Sequence, residues 1–238
     1  MQQVLEQVLA QGYVHLRGIV GDTLEFTESL GEVFRPLQDE SPIVTMKIEG
    51  NDLVANPYAS CRTPELSLHT DYATFPVPPR FTITHCIDPD PEFPRKGLSI
   101  VVFIAPVIEH LRTHAPSLLR VLRTGEFPFR RNEEHALYHA TTPTYPILDG
   151  EDRVRFDRTL IVPHLERSER PDRAALIDAV IHFERLCAER GERVEIALDR
   201  QEALIIDNRR VLHSRSECTM RHDEGRTVSR EVNLAFLV

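Results

Sequence analysis

The chain has 238 residues, 41% of them hydrophobic and 27% charged, with a formal net charge of −9. That composition fits an ordinary globular protein, and the acidic balance without a Lys/Arg-rich run argues against a nucleic-acid surface or an anionic-membrane partner. No apolar run reaches the roughly 20 residues of a membrane helix, MQQVLEQVLAQG lacks a signal core, and Cys61, Cys86, Cys187 and Cys218 form no C-x-x-C pair, so the expectation is a cytoplasmic chain with reduced thiols.

Residues 2–10 place Val4, Leu5, Val8 and Leu9 at helical spacing, ended by Gly12. GYVHLRGI reads as a short strand. Asp22 or Thr23 can cap a second helix through Leu30, with Gly31 as its stop. From residue 43 the pattern turns strand-like: IVTMKI, LSLHTD, FTITHCI and LSIVVFIA, punctuated by PVPP and DPDPEFP. The DPDPE stretch reads as a solvated loop, with contact to a cationic group as the alternative. A helix over about 107–122 is interrupted by Pro116.

The clearest helix runs from Pro171 to about Arg190, with Ile177, Val180, Ile181 and Cys187 as its apolar stripe and Gly191 as its stop. RVEIAL, ALIIDN and REVNLAFLV are three further strands. Neither a repeat nor a linker divides the chain, so one domain over residues 1–238 is expected. Strands at both ends with helices between them fit a mainly β fold with flanking helices around a jelly-roll core, the double-stranded β-helix.

Four places read His-x-acid: His69/Asp71, His164/Glu166, His182/Glu184 and His222/Glu224. In a strand, residues i and i+2 share a face and can reach one ion; in a helix they diverge by about 200°. His182/Glu184 falls inside the clearest helix. His164/Glu166 begins a polar loop rich in Arg and Glu, and His222/Glu224 lies in a charged turn with no later histidine. In LSLHTD, by contrast, Ser67, His69 and Asp71 alternate with Leu66, Leu68 and Thr70, so the polar set shares one face and needs partners. ALIIDNRRVLHSRSE brings a distant His213 into a second strand-like segment. Two histidines and one carboxylate from separate strands make the facial triad of non-haem Fe(II) oxygenases, leaving three coordination positions open. Zinc would instead favour a tetrahedral, hydrolytic site.

Two blocks carry a resemblance: LSLHTDYATFPVPPRFTITHCIDPDPEFPRKGLSIVVF and DNRRVLHSRSECTMRHDEGRTVSR. They resemble the L-x-x-H-T-[E/D] strand and the N-x-x-x-x-H-G-R segment of the Fe(II)/2-oxoglutarate-dependent dioxygenases of the taurine dioxygenase superfamily, nearest to its clavaminate synthase-like amino-acid hydroxylases. The resemblance implies that His69, Asp71 and His213 are the iron ligands. It implies Arg226 as the salt-bridge partner of the 2-oxoglutarate distal carboxylate, with Ser99 supporting it, a role suited to a planar, permanently charged guanidinium. It implies Arg230 as the holder of an acidic substrate group. Arg62, Ser60 and Asn56, just ahead of the first ligand strand, fall where pocket walls are expected.

Departures from the family pattern are Asp71 where the nearest branch more often has Glu, Ser214 for a common glycine, a shorter His-to-Arg interval, and a short chain with trimmed lid insertions. Asp71 speaks against the halogenating subgroup, which lacks that carboxylate. The implied cofactors are Fe(II), 2-oxoglutarate and O2. The implied partner is a small-molecule substrate, an amino acid or a derivative, hydroxylated with release of succinate and CO2. Desaturation or cyclisation by the same machinery, or a metal-binding jelly roll without oxygenase chemistry, are the alternatives.

Overall fold

The computed structural model describes residues 2–35, 41–50, 59–130, 142–223 and 225–238. Helix α1 (Gln2–Gln11) and strand β1 (Tyr13–Leu16) precede α2 (Thr23–Leu30), β2 (Val44–Lys47), a 3₁₀ turn (Ala59–Cys61), β3 (Leu66–His69), β4 (Phe81–Asp88) and β5 (Ser99–Phe103). Helices α3 (Ala105–His114) and α4 (Pro116–Thr124) follow, then four two-residue strands: β6 (Phe127–Pro128), β7 (Thr144–Tyr145), β8 (Leu148–Asp149) and β9 (Arg153–Val154). Helices α5 (Arg158–Glu166) and α6 (Arg173–Arg190) lead to β10 (Glu192–Ile196), β11 (Ala203–Asp207), β12 (Val211–Arg215), β13 (Met220–Asp223), β14 (Arg226–Ser229) and β15 (Glu231–Leu237).

Local chemistry accounts for the boundaries. The Asp22 carboxylate accepts from the Leu24 and Glu25 backbone N–H groups at 2.7 and 3.3 Å, capping α2. Pro116 opens α4, where its missing N–H costs nothing, and so splits the helical run into two. Gly191 closes α6 with an extended backbone, and its lack of a side chain serves close packing. A Cβ there would stand 2.4 Å from Val102 Cγ1 on β5.

The core is two antiparallel sheets face to face, one in the order β1-β11-β4-β15-β2 and the other β10-β5-β12-β3, the architecture of a double-stranded β-helix. Alternation along single strands assigns the layers. On β11, Leu204 and Ile206 point between the sheets with Val101 and Val211, while Ile205 points outward against α1 and α2 with Ile83 and Leu237. The outer face of the smaller sheet, with Val102 and Leu212, is covered by α3 to α6. Phe156 and Phe183 meet edge to face there at 5.3 Å, both fully buried. Burial of each such ring contributes about 1.5–3 kcal/mol relative to an exposed one.

Three expectations change. The inward stripe of α6 is Leu176, Ala179, Val180, Phe183, Leu186 and Cys187, and Ile181 faces solvent at 43% exposure. His164 and Glu166 end a helix, not a loop, because buried Ile161, Val162 and Leu165 give α5 an apolar face and Asp157 caps it. In the DPDPE stretch, Asp90 is buried, and its carboxylate accepts two backbone N–H bonds rather than facing water.

Candidate active site

His69 and His213 are direct cross-strand partners on β3 and β12, which puts their rings 4.2 Å apart between the centroids. Asp71 lies just past the end of β3, not within it, and still joins them. Its Oδ1 is 3.8 Å from His69 Nε2 and its Oδ2 is 3.2 Å from His213 Nε2. One donor atom from each residue falls within 4.8 Å of the others, and among the described residues this is the one such group of three.

The donor set fits a divalent transition metal. His69 Nδ1 lies 2.9 Å from the Ser67 carbonyl oxygen. That acceptor requires the proton on Nδ1, which leaves the Nε2 lone pair aimed at the cluster, as in metal-bound histidines generally. Burial pushes the His69 imidazole below its ordinary value, and the His213 ring adds to this. Burial alone would raise the Asp71 carboxyl, but His213, His69 and the Thr82 hydroxyl together hold it well below the usual carboxylate range. Both groups therefore stand deprotonated at neutral pH, the state in which they bind metal.

Asp71 is positioned by a second layer of contacts. Its backbone N–H donates to Asn208 Oδ1 at 2.7 Å, and Asn208 Nδ2 donates back to the Asp71 and Pro79 carbonyls at 3.0 and 3.1 Å. Thr82 on β4 donates its hydroxyl to Asp71 Oδ2 at 2.7 Å. Tyr72, next in the chain, adopts a left-handed φ of 52° and is braced by Phe34, Phe75 and Phe236 at centroid distances of 4.8 to 5.2 Å around it. Arg155 anchors the following loop, donating to the Ala73, Phe75 and Pro76 carbonyls while stacking on Tyr145 at 3.7 Å. Asn208→Ala is accordingly expected to weaken metal affinity by about 10–100-fold, the usual cost of losing an outer-layer partner. Isothermal titration with Fe(II) or Co(II) under argon checks it, and an unchanged affinity would show that Asn208 does not position Asp71.

The triad opens onto a cavity of about 600 Å³ between the sheets. Ser60, Arg62, Ser99 and Arg230 all line it. Arg230 is 6% exposed, and its Nη2 lies 3.4 Å from Ser99 Oγ. Burial lowers its pKa, yet an arginine remains charged in such surroundings. Arg215 also faces the cavity, but its guanidinium is committed to the Arg62, Pro64 and Ser216 carbonyls and to Cys218 Sγ.

Arg226 lies apart from this cavity. It opens β14, is exposed, and is absent from the cavity wall. Strands β13 and β14 form a separate two-stranded hairpin, with Asp223 opposite Arg226 and Gly225 at φ 78°. That excursion carries Arg226 into solvent and returns the chain to the core only at Ser229 and Arg230. Asn56 lies outside the described residues. Asn208, Thr82 and Arg155 were missed as site-supporting residues. Only Asn208 had a legible signal, since it directly follows the mostly apolar strand ALIID with a side chain able both to donate and to accept.

A jelly roll holding two histidines and one carboxylate at the mouth of a cavity between its sheets defines the class of facial-triad metalloproteins to which the non-haem Fe(II) oxygenases belong. The sequence pattern described as "Taurine catabolism dioxygenase TauD, TfdA family" matches residues 1–230, and the chain belongs to that family. Dioxygenase str8 of Strobilurus tenacellus is 31% identical over 153 residues, which cover 63% of this chain and 34% of that protein. Gamma-butyrobetaine dioxygenase of Pseudomonas sp. (strain AK-1) is 29% identical over 194 residues, covering 79% and 48%. The chain thus spans less than half the length of either relative. Among solved structures, asparagine oxygenase in complex with Fe(II), 2S,3S-3-hydroxyasparagine and succinate superposes with a TM-score of 0.72 at 18% identity, covering 100% of this chain and 78% of that one. The non-haem iron oxygenase OrfP in complex with Fe and alpha-ketoglutaric acid gives 0.71 at 18% identity, covering 99% and 78%. These likenesses establish the shared fold.

Proposed function

We propose that the chain is an Fe(II)/2-oxoglutarate-dependent oxygenase that hydroxylates an unactivated C–H bond of a small carboxylate-bearing substrate, an amino acid or a derivative of one. One observation carries this reading. The His69–Asp71–His213 donor set shares its cavity with a buried guanidinium, Arg230, that has no carboxylate within ion-pair distance among the described residues. Asp90 lies behind it but spends its carboxylate on two backbone N–H bonds, so this buried cation is only partly compensated, and an incoming carboxylate relieves the cost. On β12, Arg215 stands opposite Ser99 and two residues from His213, a step of about 7 Å. This separation supports a diacid lying along the sheet, one end at the triad and the other at Arg230 and Ser99.

In this reading the bound iron, with 2-oxoglutarate and O2, supplies the oxidising power for C–H hydroxylation, with succinate and CO2 as co-products. The protein's own residues bind and orient. His69, Asp71 and His213 hold the metal from one side. Arg230 and Ser99 receive the distal carboxylate of the cosubstrate, the role the resemblance gives to Arg226 with Ser99. Leu204, Ile206, Val232 and Leu234 exclude water along the opposite wall.

The substrate's acidic group falls to Arg62, with Ser60 beside it. Position 234, four residues beyond Arg230, is a leucine, so β15 offers no second cation. Arg62 lines the cavity, and its Nε is buried without a hydrogen-bond partner among the described residues.

The test is an anaerobic titration of the protein with Fe(II) and then 2-oxoglutarate, followed by O2 and a panel of amino acids. A weak visible charge-transfer band and amino-acid-stimulated succinate release are expected. Absence of both overturns the assignment.

A further inference from the structure

Arg230 is shaped by what stands behind it, away from the cavity. Gly97 sits in the left-handed region at φ 67°, and its N–H donates to the Glu217 carbonyl at 2.9 Å. A Cβ at this position would stand 2.9 Å from Arg230 Cδ and 2.8 Å from Asp90 Cβ, well inside the 3.5–4.0 Å at which non-bonded carbons rest. Asp90 is 4% exposed and is itself fixed, its Oδ1 accepting from Glu92 N–H at 2.9 Å and its Oδ2 from Thr219 N–H at 2.8 Å. Leu98 N–H donates to Ser216 Oγ, and Ser216 N–H to the Leu98 carbonyl, each at 2.9 Å. Residues 90–98 and the connector 216–219 after β12 therefore form one hydrogen-bonded unit. The stem of Arg230 runs against that unit at its one side-chain-free point. Neither Asp90 nor Gly97 lines the cavity.

We propose that Gly97, backed by Asp90, is a positioning residue for Arg230: the missing side chain at 97 sets where the guanidinium stands relative to Ser99, and so how tightly the chain holds a 2-oxo diacid. The inference rests on Arg230 being the anchor of the cosubstrate's distal carboxylate. A packed interior transmits such a displacement because it has no slack to absorb an added methyl group. The added group would shift the Arg230 stem and stretch a Ser99 contact that is already long.

The experiment compares wild type with Gly97→Ala by anaerobic charge-transfer titration, giving 2-oxoglutarate affinity, together with Fe(II) affinity measured without 2-oxoglutarate. Gly97→Ala is expected to weaken 2-oxoglutarate binding by about 10-fold or more, the scale of a hydrogen bond to a charged group. Fe(II) affinity should be unchanged, as should kcat at saturating cosubstrate, since binding common to ground and transition states moves KM alone. Unchanged 2-oxoglutarate affinity overturns the proposal, and so does a parallel loss of Fe(II) affinity, which would signal general damage. If Gly97→Ala does not fold, Gly97→Asn carries a Cβ on a side chain that tolerates the left-handed backbone and is measured in the same way. Failure of both to fold assigns Gly97 to folding alone and overturns the proposal as well. Arg230→Ala in the same titration tests the underlying reading separately. If it keeps wild-type 2-oxoglutarate affinity, the anchor assignment fails whatever Gly97→Ala does.

Discussion

Alanine in place of His69 or His213 will abolish the visible Fe(II)–2-oxoglutarate band and lower succinate release by about three orders of magnitude or more, the scale of a lost metal centre. The loss follows from the small donor set, three residues with no other group of three donors among the described residues. Circular dichroism should show the fold intact, because both side chains face a cavity rather than packed core. A variant that keeps a tenth of wild-type turnover would remove His69 or His213 from the metal centre.

His69 and Asp71 predict how the metal-free protein responds to acid. The His69 imidazole and the Asp71 carboxyl are both depressed in the folded state, from ordinary values of 6.5 and 3.8. Over the interval between folded and unfolded pKa the unfolded chain binds the extra proton, so stability falls as pH falls. The His69 contribution declines below about pH 6.5, and that of Asp71 below the ordinary carboxylate range.

Arg230→Ala will raise the KM for 2-oxoglutarate by roughly 30-fold to several thousand-fold, whereas Arg226→Ala will leave it near wild type. The first figure corresponds to the about 2–5 kcal/mol cost of truncating one side of a buried charge pair. The second follows from exposure on the hairpin, where a solvated charge contributes little. Steady-state kinetics on the two variants decides between them. A large effect at Arg226 with none at Arg230 would reverse the assignment.

That contrast shows where the sequence was legible. The triad could be read because its signals are local: His69 and Asp71 stand two apart at the end of an alternating strand pattern, even though Asp71 falls just beyond β3, and His213 lay in an apolar strand context. The Asp22 cap and the Pro116 break were legible for the same reason, each being a property of one residue in its immediate setting. The position of Arg226 was not legible, because carrying it over by its distance from His213 presumes a direct path. The β13–β14 hairpin inserts an excursion into that interval. Its turn glycine, Gly225, was present in the sequence, and weighing it as a turn would have moved Arg226 to the surface. The partners of Asp71 were hidden for a different reason. Thr82 and Asn208 are 11 and 137 positions away from it, and sheet pairing alone brings them together.

His69, Ser99 and His213 project from β3, β5 and β12, three adjacent strands of one sheet, and Arg230 stands at the head of a fourth strand in the other. Ser60 and Arg62 belong to a short connecting segment beginning with a 3₁₀ turn. Sheet positions are coupled by register, so a change in one disturbs its neighbours, while connecting segments tolerate exchange. On the proposed function, descendants of such a chain can therefore diverge in substrate while inheriting the metal and cosubstrate site intact. Directed-evolution libraries aimed at new substrates belong in residues 59–65.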